Sequence, residues 1–241
     1  MPRAARIVWV LALVAVGIAP SIAFGVWVEA LGRGAAAASA VSLPDALFDV
    51  LLMQAFGVLH TGLAQLRSQE RMARAVGAAN VRALYMIATG AALCGVMGAW
   101  RPLGGAVWTV VAGSERAELA GQVAFYLLLL LAGRMIAGSG ALEFAGVAQA
   151  WRGAAAERTA GKPYLVEDGV YAVVRHPGYA VTLLAFLTAN TMTRDRMALF
   201  AGSAIYLAIG IPLEERKLVA IFGDAYVRYR ARVPALLPRL R

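Results

Sequence analysis

The chain has only two histidines, His60 and His176, and His176 stands in Gly169 to Tyr179, GVYAVVRHPGY, a stretch whose residue types invite chemistry. Because His176 precedes Pro177, its backbone is pushed towards an extended conformation, while Pro177 suits the first turn of a helix. The spacing therefore puts the imidazole at a helix mouth. Backbone N–H groups there lack intrahelical partners and the helix dipole is positive, a setting that attracts a carboxylate or phosphate. Tyr171 and Tyr179 flank the mouth with aromatic faces that hold a cation or stack on a flat ring. A zwitterionic cofactor carries both kinds of group.

An acidic pair, Glu214–Glu215, follows Pro212. A proline near a helix end leaves a carbonyl without its N–H partner, so carboxylate and carbonyl together form a negative locus able to hold a sulfonium or a ribose. If one apolar span starts at Pro177 and the next ends near Leu213, His176 and Glu214 meet in space although 38 positions separate them. His60, within an apolar span, is a candidate base, and Arg134 a candidate source of positive field. Each has a plainer reading. His60 can be a packed, hydrogen-bonded core residue and His176 an N-terminal cap; the acids can simply open a surface helix. Arg134 and Glu143 can pair with each other or snorkel, and Tyr226 and Tyr229 can anchor at the membrane interface.

These groups must be carried by membrane helices. With 61% hydrophobic and 15% charged residues and a mean hydropathy of +0.67, the chain is far more apolar than a soluble domain. The net charge of +9 does not mark a nucleic-acid binder, because the basic residues lie between apolar runs rather than on one face. One cysteine, Cys94, excludes an intrachain disulfide, and with two histidines it argues against a zinc site.

The expected fold is an all-α integral membrane protein with about six transmembrane helices, a short C-terminal helical hairpin and an interfacial C-terminal helix. Spans run from Ile7 to about Ala30, Asp45 to Leu66, Val81 to Trp100, and from near Glu118 towards Trp151, the last too long for one straight crossing. Leu31 to Pro44, rich in Gly, Ala and Ser, reads as a connector. Pro177 to about Met192 and Met197 to Leu213 form the hairpin, closed by Thr193 to Arg196. Beyond Glu214, Leu218, Ile221, Phe222, Ala225 and Tyr229 recur at helical spacing, as in a helix lying on the bilayer. The whole chain, 1–241, reads as one membrane domain, with 1–151 holding the first four spans and 152–241 the cofactor-binding part. With a cytoplasmic N-terminus, 17 of the 23 basic residues fall on the inner side, which supports six crossings and both termini inside.

GVYAVVRHPGY followed by LEERKLVAIFGDAYVRYRARVPALLP resembles the isoprenylcysteine carboxyl methyltransferase superfamily: an RHPxY element, a short hairpin, a Glu-Glu pair, then FGxxYxxYxxxVPxxxP. The likeness covers about Gly161 to Pro238. FGVLHTGLAQ (Phe56 to Gln65), TMT at 191 to 193 and the ending VPALLPRL look like the bacterial branch that includes methanethiol S-methyltransferases. The resemblance implies S-adenosyl-L-methionine as methyl donor in a cytoplasm-facing pocket, with Tyr164, Leu165, Val166 and Tyr171 on the adenosine side. His176, Pro177, Gly178 and Tyr179 would hold the cofactor at the helix mouth, and Glu214 and Glu215 would close it. Where the prenylcysteine enzymes carry an arginine for the substrate carboxylate, this chain has Gly210, which favours a small apolar thiol. Alternatives are methylation of a prenylcysteine carboxylate or a lipid headgroup, or a non-catalytic membrane scaffold or carrier. The implied partners are a small or lipidic methyl acceptor and membrane lipid, with no nucleic acid and no metal, and the implied location is a bacterial inner membrane.

Overall fold

The computed structural model describes residues 3–33, 42–137, 140–152 and 164–239. Apolar segments with no water to bond must close their own backbone hydrogen bonds, and they do so as helices. The first span is α1 (Arg3–Ala12), a π-helical stretch (Leu13–Ile18) and α2 (Ala19–Arg33). Ser42 caps α3 (Leu43–Ala64), accepting from Asp45 N at 3.4 Å. A break at Gln65 turns the chain into α4 (Leu66–Val76), a basic surface helix with Arg67, Arg71 and Arg74. α5 (Val81–Ala99) and α6 (Glu115–Ala137) complete the first four spans. Short helices α7 (Ala141–Phe144) and α8 (Val147–Arg152) follow, and the spans close with α9 (Pro177–Phe186), α10 (Arg194–Phe222) and α11 (Asp224–Arg232).

Among the described residues, five helices are long and apolar enough to cross a membrane, and this is an integral membrane protein. α9, with ten residues, rises only ~15 Å, about half of the hydrocarbon thickness. Its first turn packs against Ile136 and Ala132 near one end of α6. Four residues beyond its end, Asn190 donates to Glu118 in the first turn of α6 at 2.7 Å. Helix and extension together therefore run the same depth as α6. Buried Arg196 makes the early stop of α9 tolerable, donating from Nε to the Phe186 carbonyl at 2.9 Å and from Nη2 to that of Ala185 at 3.0 Å.

The interior is built from Met53, Val96, Trp100, Phe125, Phe186 and Leu199, packed where the spans meet. Leu51, Val58, Leu127, Leu130 and Ile209 are exposed on the helix exteriors, the inverse of a soluble surface and the face that lipid covers. At the end remote from the helix mouth of α9, buried Asp195 gathers the chain. It accepts from Trp100 Nε1 at 2.9 Å, Leu103 N at 3.0 Å and Gly104 N at 3.2 Å.

Four sequence expectations need correction. A short antiparallel ladder joins β1 (Ala106–Thr109) to β2 (Thr191–Thr193), with Trp108 opposite Met192, in a chain expected to be wholly helical. The backbone groups freed where α9 stops early find partners there. The last-but-one span ends at Phe186 rather than Met192. Pro212 does not end the final span, since α10 continues through it to Phe222 and the break comes at Gly223, with φ 58°. The fourth span ends at Ala137, and Glu143 on α7 pairs with Arg152 at 3.5 Å. Residues 34–41 of the Leu31–Pro44 connector, and residues 153–163 of the stretch before Pro177, lie outside the described residues.

Candidate active site

The mouth of α9 forms as its sequence dictates. His176 takes φ −122° and ψ 62°, outside the helical region, and Pro177 opens the helix. The peptide before it is clamped by the C-terminal tail: Arg175 N donates to the Pro234 carbonyl at 2.9 Å and His176 N to that of Ala235 at 3.0 Å. This pairing explains the VP element after α11. It holds the histidine still while leaving the first N–H groups of α9 without helical partners.

His176 and the acidic pair meet. His176 Nε2 lies 3.2 Å from Glu215 Oε1, and Nδ1 lies 3.8 Å from Glu214 Oε2. Tyr179 stacks on the imidazole with centroids 5.5 Å apart and 7° between planes, and its hydroxyl donates to Glu214 at 2.9 Å. Gly178 faces α6 so closely that a Cβ there would stand 2.5 Å from Ile136 Cγ1. The glycine of HPGY thus sets the distance between α6 and the helix mouth.

Around this point lies a cavity of about 300 Å3 lined by Tyr164, Leu165, Val166, Tyr171, His176, Pro177, Gly178, Tyr179 and Glu214, together with Met135, Ile136, Arg175, Leu218, Phe222, Tyr226 and Tyr229. Tyr226 and Tyr229, expected at the membrane interface, are instead buried and form the floor of a clamp with Leu165, Tyr171 and Leu218. Tyr229 donates to the Tyr171 carbonyl at 2.7 Å, and Tyr171 donates to that of Met135 at 3.1 Å. Burial raises the Tyr171 and Tyr226 hydroxyls above the ordinary tyrosine range and pushes Tyr229 up to about 12, so all three stay protonated donors at neutral pH. The Tyr226 hydroxyl is buried beside the Arg175 guanidinium without completing a hydrogen bond. It is a polar group held ready in the cavity wall.

Two candidates are placed differently. Glu215 does not line the cavity. It is buried behind it, where Oε1 accepts from Arg175 Nε at 2.7 Å and lies 2.5 Å from Arg175 Nη2. The same guanidinium donates to the Arg230 carbonyl at 3.1 Å and to that of Val233. Glu215 therefore holds His176 and Arg175 from behind the cavity wall. Arg134 is exposed and lines neither this cavity nor its neighbour, because α6 turns that face outward while Met135 and Ile136 face in.

His60 lies in that neighbouring cavity, of about 490 Å3, which shares Ile136, Tyr179 and Glu214 with the first. Its imidazole sits against Tyr85, whose hydroxyl is 2.8 Å from Nε2, and Thr89 Oγ1 lies 3.3 Å from Nδ1. Tyr206 crosses from α10, its ring lying where a Cβ on Gly57 would stand 2.3 Å away, and bonds Thr61 at 3.2 Å. Gly210 also lines this chamber, with Arg82 and Lys217. Sequence reasoning missed Tyr85, Thr89, Tyr206, Arg82 and Lys217. The two cations were counted as topology signals, because they stand near the ends of spanning helices, where spacing does not separate a snorkelling side chain from one that lines a chamber.

Neither a family model nor a solved structure matches the chain. Relatives do. It is 34% identical over 204 residues to a methanethiol S-methyltransferase of Pseudomonas deceptionensis, covering 81% of this chain and 73% of that one. The chain belongs to the methanethiol S-methyltransferase family. A second member, methanethiol S-methyltransferase 1 of Bradyrhizobium diazoefficiens, is 30% identical over 197 residues, covering 80% of this chain and 66% of that one. A protein-S-isoprenylcysteine O-methyltransferase of Schizosaccharomyces pombe is 35% identical over 77 residues, 31% of this chain and 33% of that one. The methanethiol S-methyltransferase relatives and the shorter prenylcysteine likeness together place the chain in the superfamily that its RHPxY and Glu-Glu elements resemble. It is an integral membrane methyltransferase, an activity that needs a methyl donor and an acceptor.

Proposed function

We propose that the enzyme moves a methyl group from S-adenosylmethionine, held in the cavity at the α9 mouth, to the sulfur of a small thiol such as methanethiol in the chamber around His60. The observation that carries this reading is the shared wall: cavities of about 300 and 490 Å3 meet at Ile136, Tyr179 and Glu214. The acceptor class follows from the relatives' names.

The residues of the first cavity fit the donor. Unpartnered N–H groups at the α9 mouth suit its carboxylate, the flat apolar walls at Leu165, Leu218 and Phe222 suit its adenine, and the Tyr226 hydroxyl offers an unused hydrogen bond. When bound, it supplies a methyl carbon on a positively charged sulfur. Glu214 would stabilise that charge, while Tyr179 fixes the carboxylate by donating to it. Ile136 and the aromatic rings keep water from the line of transfer. We assign His60 the thiol proton, because a thiolate is the better nucleophile and the imidazole is the titratable base held in the chamber by Tyr85 and Thr89. We place both cavities on the cytoplasmic side of a bacterial inner membrane, on the bias of basic residues.

Purified enzyme in detergent with labelled S-adenosylmethionine should methylate methanethiol and discriminate against a prenylcysteine analogue. Preference for the prenylcysteine would replace the acceptor assignment, and labelled product from neither would defeat the reading. His176→Ala should weaken donor binding by calorimetry by about tenfold or more, the scale of one lost charge-assisted contact.

A further inference from the structure

The chamber around His60 is much larger than its smallest acceptor needs. At about 490 Å3 it exceeds the first cavity, whereas methanethiol would fill the space of about two or three waters. It is also charged. Arg82 from α5 and Lys217 from α10 both line it, both are half-buried, and neither has a carboxylate within ion-pair distance among the described residues. Their satisfied contacts are to neutral groups. Arg82 Nε donates to the Phe144 carbonyl at 2.5 Å and the guanidinium lies over the Tyr85 and Phe144 rings; Lys217 Nζ donates to the Ala64 carbonyl at 2.8 Å. Glu214, on the same wall, acts on Lys217 only through space, so two half-buried cations without an ion pair near the ends of spanning helices are costly to keep, which marks an anion site more readily than a packing device.

Their place in the chamber defines the anion. Ala64, which holds Lys217, is one turn along α3 from His60, a rise of ~6 Å. Gly210, Glu214 and Lys217 follow one another along one face of α10, so Lys217 stands on the same side as the shared wall and one turn beyond it. Gln65 and Gln69 line the same end of the chamber. Resting on the thiol-methylating reading above, we propose that this chamber binds thiols bearing a carboxylate, with the sulfur at His60 and the shared wall and the carboxylate on Lys217 and Arg82. Mercaptoalkanoates with a spacer of about two or three carbons match the ~6 Å rise. In the reaction the thiol S–H bond breaks and its proton goes to His60; the new bond joins that sulfur to the methyl carbon. The old bond from that carbon to the donor's sulfonium sulfur breaks, and its electron pair stays on the donor, which leaves as the neutral thioether S-adenosylhomocysteine. The carboxylate is untouched.

The test compares 3-mercaptopropionate with 1-propanethiol on the purified enzyme. Wild type should favour the carboxylate thiol in kcat/KM by about tenfold or more, the effect expected of one charge-assisted pair. Lys217→Met should abolish that preference through KM, and Lys217→Arg should keep most of it. Equal use of the two thiols by wild type, or a preference for propanethiol, overturns the inference while leaving methyl transfer to thiols intact. Calorimetry with the unreactive product 3-(methylsulfanyl)propanoate gives a reading independent of catalysis. Saturable binding that Lys217→Met weakens supports the anion site even if no thiol is methylated, an outcome that would sink the transfer reading instead. No saturable binding to wild type overturns the site.

Discussion

Glu215 shows how a residue can be essential to a site without lining it. Its carboxylate holds both the Arg175 guanidinium and the His176 imidazole, and Arg175 in turn ties down the carbonyls of Arg230 and Val233. With side-chain exposures of 10% for Arg175 and 7% for Glu215, loss of the negative charge would strand a buried cation. Glu215→Gln should therefore lower stability by about 3 kcal/mol, read as a fall in the thermal midpoint, and weaken donor binding with it. A variant that keeps its midpoint but loses donor affinity would mean that Glu215 touches the ligand after all. The neighbouring Glu214 differs by one position and one helical face, which no reading of an adjacent Glu-Glu pair could separate. The meeting of His176 with that pair was legible because His176 lies where one apolar run begins and the pair where the next gives way to polar residues, although the helix itself continues to Phe222. Tyr226 and Tyr229 were misassigned to the interface because periodicity says which residues share a face, not whether that face meets lipid or protein.

At the level of elements, the short helix α9 and the long helix α10 divide the work. α9 stops after ten residues because its role is to present a mouth at one end, while Arg196 and the β1–β2 ladder deal with the backbone groups that stopping exposes. Asp195, one residue before Arg196, collects Trp100 Nε1 and the N–H groups of Leu103 and Gly104. Asp195→Ala should leave those buried donors unsatisfied and cost ~3 kcal/mol, at the upper end for a single lost acceptor because three bonds go together. Donor affinity of the folded protein should not change, since the site lies at the opposite end of α6; a matching loss of affinity would show that the two ends are coupled. Sequence reasoning placed α9 and α10 as a hairpin but could not see the ladder. β1 and β2 are four and three residues long and lie far apart in the chain, too short for alternation to register.

For the whole molecule, the helical packing puts the N-terminal helix, α4, both cavities and the C-terminal clamp at one end of the helical layer, and the β ladder at the other. On the bias of basic residues we propose that the first end faces the cytoplasm. In a Cys94→Ala background, a membrane-impermeant maleimide should label Trp108→Cys on intact cells and Arg71→Cys only after permeabilisation. The reverse pattern would turn the site to the outside. By itself the sequence determined that the chain lies in a membrane and that the imidazole before Pro177 opens a helix, because hydropathy and proline stereochemistry act locally and survive any packing. Only the tertiary structure decided which groups face inward: that Arg134 does not, that Glu215 stands behind the site, and that Arg82 and Lys217 share a chamber with His60. Those outcomes depend on how helices rotate about their axes when α3, α5 and α10 pack together, and a rotation of one residue's angle moves a side chain from lipid to cavity without altering any span's composition.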